Sequence, residues 1–281
     1  MKYASFIHHD SPTWGVADAG HLYDLGPSGL ALAPTLKAAV ESGVFGNLGV
    51  PWKDATSVAE SEIAFLPAIT DPAKILCIGV NYRSHRDETG RDPAAKPTVF
   101  TRFADTQMGH LQPAVRPFDD SQFDYEGELA LVIGKPAFRV SQDDAYSVVA
   151  GYGIYNDFSV RDWQRATTQW TPGKNFPSTG GFGPYLVPAS DIPDVTALNL
   201  ETRVNGDVRQ SAVVADLLFD IPEIIAHVTA FTALSPGDVI VTGTPGGVGM
   251  FMDPKGLITS GDVVEVEITG LGTLTNTVSQ G

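Results

Sequence analysis

Hydrophobic positions in this chain come mostly in short runs, and few of the runs are long enough for a helix. Strict alternation over four to eight residues marks a half-buried strand, and a short unbroken apolar run between turn residues marks a fully buried one. By these rules Lys2–Ile7, Trp14–Ala17 and His21–Leu25 are strands, separated by the turn signals Asp10-Ser-Pro and Asp18-Ala-Gly. Lys74–Val80, Pro97–Phe103, residues 123–133 and the apolar stretch that ends at Asp157 follow as strands, as does the run from Val239 into a glycine-rich turn at 243–249. Leu198–Val204 and Asp207–Ser211 form a hairpin around Asn205-Gly206, a dipeptide suited to a tight two-residue turn. Val263–Ile268 and Gly272–Val278 close the chain as alternating strands.

Helices are fewer. Pro34–Gly43 has proline in its first turn and glycine as its stop. Ser141–Val149 reads as a helix with Ser141 as cap and Asp143 and Asp144 in the first turn. Leu217–Phe231 is amphipathic, with Pro222 in its first turn. Residues 90–97 and 170–184 read as loops; the second is long, rich in Gly and Pro, and carries Lys174. It lacks the spacing of a phosphate-binding P-loop. A passage with Pro67 and Pro72 suggests a boundary near residue 70, giving a small N-terminal α+β domain at 1–70 and a larger one at 71–281. The pattern as a whole is α+β and β-rich.

Composition sharpens this picture in three ways. The 29 Gly and 20 Pro suit many turns and short strands. A net charge of −15 argues against nucleic acid and anionic membrane as partners. An anionic substrate would then need a local positive pocket or a bound metal. Cys77 is the only cysteine, so no intrachain disulfide can form, which fits a reducing compartment. No basic-then-apolar leader pattern opens the chain and no apolar run reaches about 18 residues, so a cytoplasmic location is expected.

Candidate chemistry is concentrated in a few stretches. Asp124, Glu126 and Glu128 fall at alternate positions of an apolar segment, a spacing that puts three like charges on one strand face, about 7 Å apart. Either this is a solvated strand end, or a hard divalent cation held by oxygen ligands compensates the charge. His85 and Glu88 are three apart, neighbours on one face if the segment is helical. They are then an incidental surface pair or a carboxylate-oriented general base. Asp157 could cap the next helix or bring a third carboxylate to a cation. Arg161 and Gln164 follow at once, and arginine makes bidentate pairs with carboxylates. His8, His9, His21 and His227 read as surface or structural residues.

Four segments taken together resemble the fumarylacetoacetate hydrolase family: Asn81-Tyr-Arg-Ser-His-Arg-Asp-Glu88, Asp124-Tyr-Glu-Gly-Glu128, Gly151–Gln164 and Thr242-Gly-Thr-Pro-Gly-Gly-Val-Gly249. They occur in the family's order with similar spacing. The likeness runs from about residue 73 to 281, and the first 70 residues look like the variable domain of bacterial members. The resemblance implies a mixed β-sandwich roll, usually a homodimer, with a Mg²⁺ or Mn²⁺ site. Carried over by motif, Glu126, Glu128 and Asp157 are the metal ligands and Asp124 is not. His85 and Glu88 form the water-activating dyad, and Lys174 stabilises an enolate. Arg161, Gln164 and Thr244 line a pocket for a 2-oxo acid. The implied reaction is metal-dependent hydrolysis of a C–C bond in a 2,4-diketo acid, giving pyruvate and a carboxylic acid in the catabolism of aromatic or sugar acids. The alternative is oxaloacetate decarboxylation, or isomerisation of the 2-hydroxyhepta-2,4-diene-1,7-dioate or keto–enol type, at the same metal. Two departures bear on the substrate. Pro177 stands where acylpyruvate-cleaving members have Asp, and the stretch from Gln210 lacks the usual Asn-Thr pair.

Overall fold

A computed structural model describes all 281 residues. The fold is a β-rich α+β structure whose largest element is a mixed sheet of twelve strands. Its centre is the strand Gly127–Ile133. On one side it pairs antiparallel with Val149–Asp157, from Gly127↔Asn156 onward. On the other it pairs with Val239–Val241, which runs parallel to Ile75–Gly79; Thr98–Arg102 forms the edge. Beyond Val149–Asp157 lies Gly180–Pro188, which meets Lys2–His8 at Tyr3↔Leu186 and so joins the N-terminal strands to the same sheet.

Every residue of Gly127–Ile133 is buried, the mark of a strand covered on both faces. Its alternation sorts the core. Leu129, Leu131 and Ile133 point into a cluster with Leu200, Val266, Ile268 and Leu274 of a second, five-stranded sheet, and with Ile224, Ile225 and Val228 of the helix Ile221–Phe231. Ala130 and Val132 face the other way, into a cluster with Tyr3, Trp14, Leu36 and Val40 from the N-terminal segment. Two sheets packed face to face, with a helix on the same side, make the sandwich.

Local signals explain several ends. Thr35 caps Leu36–Ser42 by accepting from the Ala38 amide, and Gly43 ends it at φ 76°. Asp220 caps Ile221–Phe231, with Pro222 in the first turn. Asn205 and Gly206 adopt φ of 53° and 86°, the two positive values that their hairpin turn demands.

Three expectations are corrected. Residues 141–149 hold only a 3₁₀ turn, Ala145–Val148, because Val149 is drawn into the sheet opposite Ile133. Residues 123–133 are two strands rather than one: Phe123–Asp124 pairs with Ser159–Val160, and the chain turns at Tyr125 and Glu126 before entering the central sheet. The stretch 170–184 is not a structureless loop. It contains a helical turn, Thr171–Lys174, and the start of Gly180–Pro188. Polar spacing alone cannot anticipate such partners, since they lie in other parts of the chain.

Candidate active site

The antiparallel register of the central strands builds the floor of the site. Glu126 stands just before the central strand and Glu128 near its start, while Asp157 ends the neighbouring strand and its amide donates to the Glu126 carbonyl at 2.9 Å. One carboxylate oxygen from each of Glu126, Glu128 and Asp157 lies within 4.8 Å of the others, and all three residues are buried. The kink at Tyr125–Glu126 breaks the simple one-face picture, so the cluster draws on two strands.

Cations surround this cluster. Lys174 Nζ donates to Glu126 Oε2 and to Asp157 Oδ2, each at 2.6 Å, and its side chain is almost fully buried. Arg161 Nη1 reaches Glu126 Oε1 at 2.5 Å and Gln164 Oε1 at 2.9 Å. Arg102 pairs with the far oxygen of Asp157 and donates from Nη2 to Thr179 Oγ1 at 2.7 Å. The Gly243 amide donates to Glu128.

Asp124, the first acid of the alternating trio, has another job. It accepts from the amides of Gly249 (2.8 Å) and Met250 (2.9 Å) and from Arg161 Nε (2.8 Å), pinning the end of the glycine-rich turn to the floor.

The charges do not balance. Asp124, Glu126, Glu128 and Asp157 face Arg102, Arg161 and Lys174, four carboxylates against three cations. Burial alone would raise the carboxyls of Glu126 and Glu128. For Glu126, Lys174 and Arg161 overturn that effect and hold it well below the usual carboxylate range. Glu128 has no such partner: burial first, then the charges of Asp157 and Glu126, push it well above its ordinary value. A hard divalent cation fits this donor set, since the donors are all oxygen, buried and one negative charge in excess. Adding such an ion leaves the floor net positive and ready for an anion.

The second half of the site is the helix Arg83–Thr89. His85 Nδ1 lies 2.7 Å from Glu88 Oε1. With the proton on Nδ1 donated to Glu88, Nε2 is the free basic nitrogen. The helix is docked on the glycine-rich turn: the Gly247 amide donates to Glu88 Oε2 at 2.8 Å and the Gly246 amide to Ser84 Oγ at 2.9 Å. Gly247 has φ 102° and lies so close to Arg209 that a Cβ would fall 1.9 Å from its carbonyl oxygen. Only glycine permits this close approach.

All nine residues named from the sequence as catalytic, substrate-binding or metal-binding gather in one region. His85, Glu126, Glu128, Arg161, Gln164, Lys174 and Thr244 line a single cleft of about 140 Å³; Asp157, a floor acid set back from the cleft wall, and Glu88, behind His85, complete the group. None of His8, His9, His21 and His227 lines it. Two details differ from the expected roles. The Thr244 hydroxyl is already engaged, donating to the Gly127 carbonyl at 3.0 Å and accepting from Gln210 Nε2 at 2.8 Å. Arg161 spends most of its donors on Asp124, Glu126 and Gln164, but its buried Nη2 has no partner, a ready donor for an anionic oxygen.

Sequence reading missed Arg102 and Gln210. Gln210 Oε1 accepts from the Gly127 amide while its Nε2 holds Thr244 and the Pro245 carbonyl, tying the central strand to the glycine-rich turn. The one available signal for Arg102 was a charged residue ending the otherwise uncharged strand Thr98–Arg102.

Comparison with known proteins places the chain in a family. The family model described as fumarylacetoacetate (FAA) hydrolase, C-terminal, matches residues 74–279. The oxaloacetate tautomerase YisK of Bacillus subtilis is 44% identical over 223 residues, which cover 78% of this chain and 74% of the relative. Among solved structures, a fumarylacetoacetate hydrolase from psychrophilic Exiguobacterium antarcticum is 34% identical with a TM-score of 0.89, covering 100% of both chains. Maleylpyruvate hydrolase from Sphingobium sp. SYK-6, solved in complex with manganese(II) and pyruvate, is 27% identical with a TM-score of 0.83 and also covers 100% of both chains.

Proposed function

This chain belongs to the fumarylacetoacetate hydrolase family, and from that premise we propose that it is a metal-dependent oxaloacetate tautomerase, interconverting the enol and keto forms of that 2-oxo acid. The observation that carries the reading is a single carboxylate-backed imidazole, His85, facing a buried floor of compensated acids and cations. Keto–enol exchange needs one group that takes a proton and returns it, and no hydrolytic water. The name of the Bacillus subtilis relative supports the same reaction. Cleavage of an acylpyruvate, which the sequence motifs put first, is the less supported reading. Pro177, standing where acylpyruvate-cleaving members carry Asp, points away from it as well.

Glu126, Glu128 and Asp157 would hold the cation, with Mg²⁺ or Mn²⁺ as the candidates and manganese favoured by the maleylpyruvate hydrolase complex. When bound, such an ion supplies Lewis-acid polarisation of a 2-oxo group. The chain does the rest. Arg161 Nη2 and the free amide of Gln164 orient the substrate's C1 carboxylate. In the enol-to-keto direction His85 Nε2 would take the proton from the enol oxygen and return it to C3, leaving the imidazole neutral again. Glu88 keeps the imidazole in one tautomer and stabilises its charged form. Lys174 holds positive charge beside the oxygen on which negative charge develops. Phe251, edge-on to His85 at 6.3 Å, screens the imidazole from bulk water.

The test follows the loss of enol absorbance of oxaloacetate in the presence of Mg²⁺ or Mn²⁺, with pyruvate release measured in parallel and acetylpyruvate as a second substrate. Rapid enol loss without matching pyruvate supports the tautomerase. If acetylpyruvate cleavage is the faster reaction, the hydrolase reading prevails.

A further inference from the structure

Four cationic side chains line the cleft: Arg91, Arg161, Arg165 and Lys174. Lys174 and Arg161 are committed to the acids of the floor. Arg91 and Arg165 make no ion pair, although they line the same cleft as the paired cations.

Arg91 is nonetheless held in place. Its guanidinium lies 4.9 Å above the ring of Trp170. Trp170 packs edge-on against Phe100 at 5.5 Å, and the ammonium of Lys174 sits 5.0 Å from the Phe100 ring on the side of the floor. A ladder of cation, indole, phenyl and cation thus runs from the mouth to the floor. The seat of the indole depends on Gly79, where a Cβ would lie 2.1 Å from Trp170. Stacking on an aromatic face leaves the edge of the guanidinium, with its N–H fork, free for a planar anion.

We propose that Arg91, held by Trp170 and seconded by Arg165, binds the distal carboxylate of a dicarboxylic 2-oxo acid and so selects dianionic over monoanionic substrates. This deepens the reading above and rests on its placing of the 2-oxo acid end at the floor. A distal carboxylate entering a cleft between Ile78, Phe100 and Phe251 loses part of its hydration, and the loss is tolerable only beside a cation. An apolar acyl group would gain nothing from two unpaired guanidinium groups.

The experiment compares two unreactive ligands of equal length, 2-oxoglutarate and 2-oxopentanoate, by calorimetry on the Mn²⁺-loaded protein. The wild type should bind the dicarboxylate at least about tenfold more tightly. Arg91→Met should cut that preference to about twofold or less while leaving 2-oxopentanoate affinity within about twofold, and Arg91→Lys should restore part of it. Arg165→Met should produce a smaller loss of the same kind. A wild type with no preference, an Arg91→Met variant that weakens both ligands equally, or binding of neither ligand overturns the proposal. Because binding is read without turnover, a protein that cleaves acylpyruvates instead of tautomerising oxaloacetate would refute the reading of the reaction and still report on this subsite.

Discussion

The floor and the rim of the cleft are built on opposite plans. At the floor, Glu126, Asp157, Lys174, Arg102 and Arg161 are buried and paired with one another, with hydrogen-bond partners already in place. At the rim, His85 rests on a seven-residue helix held by two glycine-turn amides, and Arg91 and Arg165 have no ionic partner. The floor is preorganised by two strands that cannot shift without breaking the central sheet. On the proposed reading, the rim's free valences are the ones that meet the substrate. The lesson is a division of labour: strands hold charge where it must not move, while a short helix and a loop carry the groups that meet and release the ligand.

The largest effect should come from the floor. Asp157→Asn removes one of three carboxylates and leaves Lys174 and Arg102 short of a counter-charge. Activity should fall at least about 10³-fold and Mn²⁺ binding by calorimetry should drop below detection. A variant that binds Mn²⁺ normally would sink the three-carboxylate site. The matching change at the rim, His85→Ala, should lower kcat by about 10²–10⁴-fold yet leave Mn²⁺ affinity within about twofold. If both variants lose metal and activity together, floor and rim are not separate units.

A third substitution tests what stiffens the floor. Arg102 touches no part of the cleft but pairs with Asp157 from behind, and breaking a buried pair from one side leaves an uncompensated charge. Arg102→Met should lower stability by about 3–5 kcal/mol in urea unfolding of the metal-free protein. Mn²⁺ affinity should fall by about 10–100-fold, as happens when groups behind a metal ligand are removed. Mn²⁺ should recover part of the lost stability by binding only the folded state. Unchanged Mn²⁺ affinity would show that Asp157 needs no support.

How much of this was legible beforehand follows the same division. The floor acids were visible because carboxylates in an apolar strand need a reason, and the resemblance of four motifs pointed to the family to which the chain belongs. That Asp124 clamps the Gly249–Met250 turn could not be read locally, because its partners lie about 125 residues away. The partners of Gln210 and Arg102 could not be read for the same reason: a long-range hydrogen bond leaves no periodicity. Strand positions were read well wherever turn residues bounded them, as at Asn205-Gly206. The 141–149 helix failed because sheet pairing overrode a local capping signal. Arg91 fell in a segment read only as a loop, where no pattern distinguishes a solvated arginine from one stacked on an indole.

The smallest effect concerns a seam far from both floor and rim, and it serves as their control. His110 lies edge-on to Phe65 at 5.0 Å, and its Nδ1 accepts the Thr275 amide at 3.0 Å. It therefore joins an N-terminal strand to the last strand of the second sheet. Burial lowers its pKa to about 4. An unfolded histidine titrates near about 6.5, so between those values the unfolded chain binds a proton that the folded one refuses. The contribution of His110 is thus fully present above about pH 6.5 and is lost as pH falls toward 4, by about 2–3 kcal/mol over the whole window. His110→Asn offers an acceptor with no titration. Urea unfolding at pH 7.5 and at pH 4.5 should show the wild type losing about 2 kcal/mol more than this variant. The paired acids of the floor do not enter the difference, since both proteins carry them unchanged. Equal losses would mean that His110 is protonated in the folded protein and that the Thr275 amide finds its partner elsewhere.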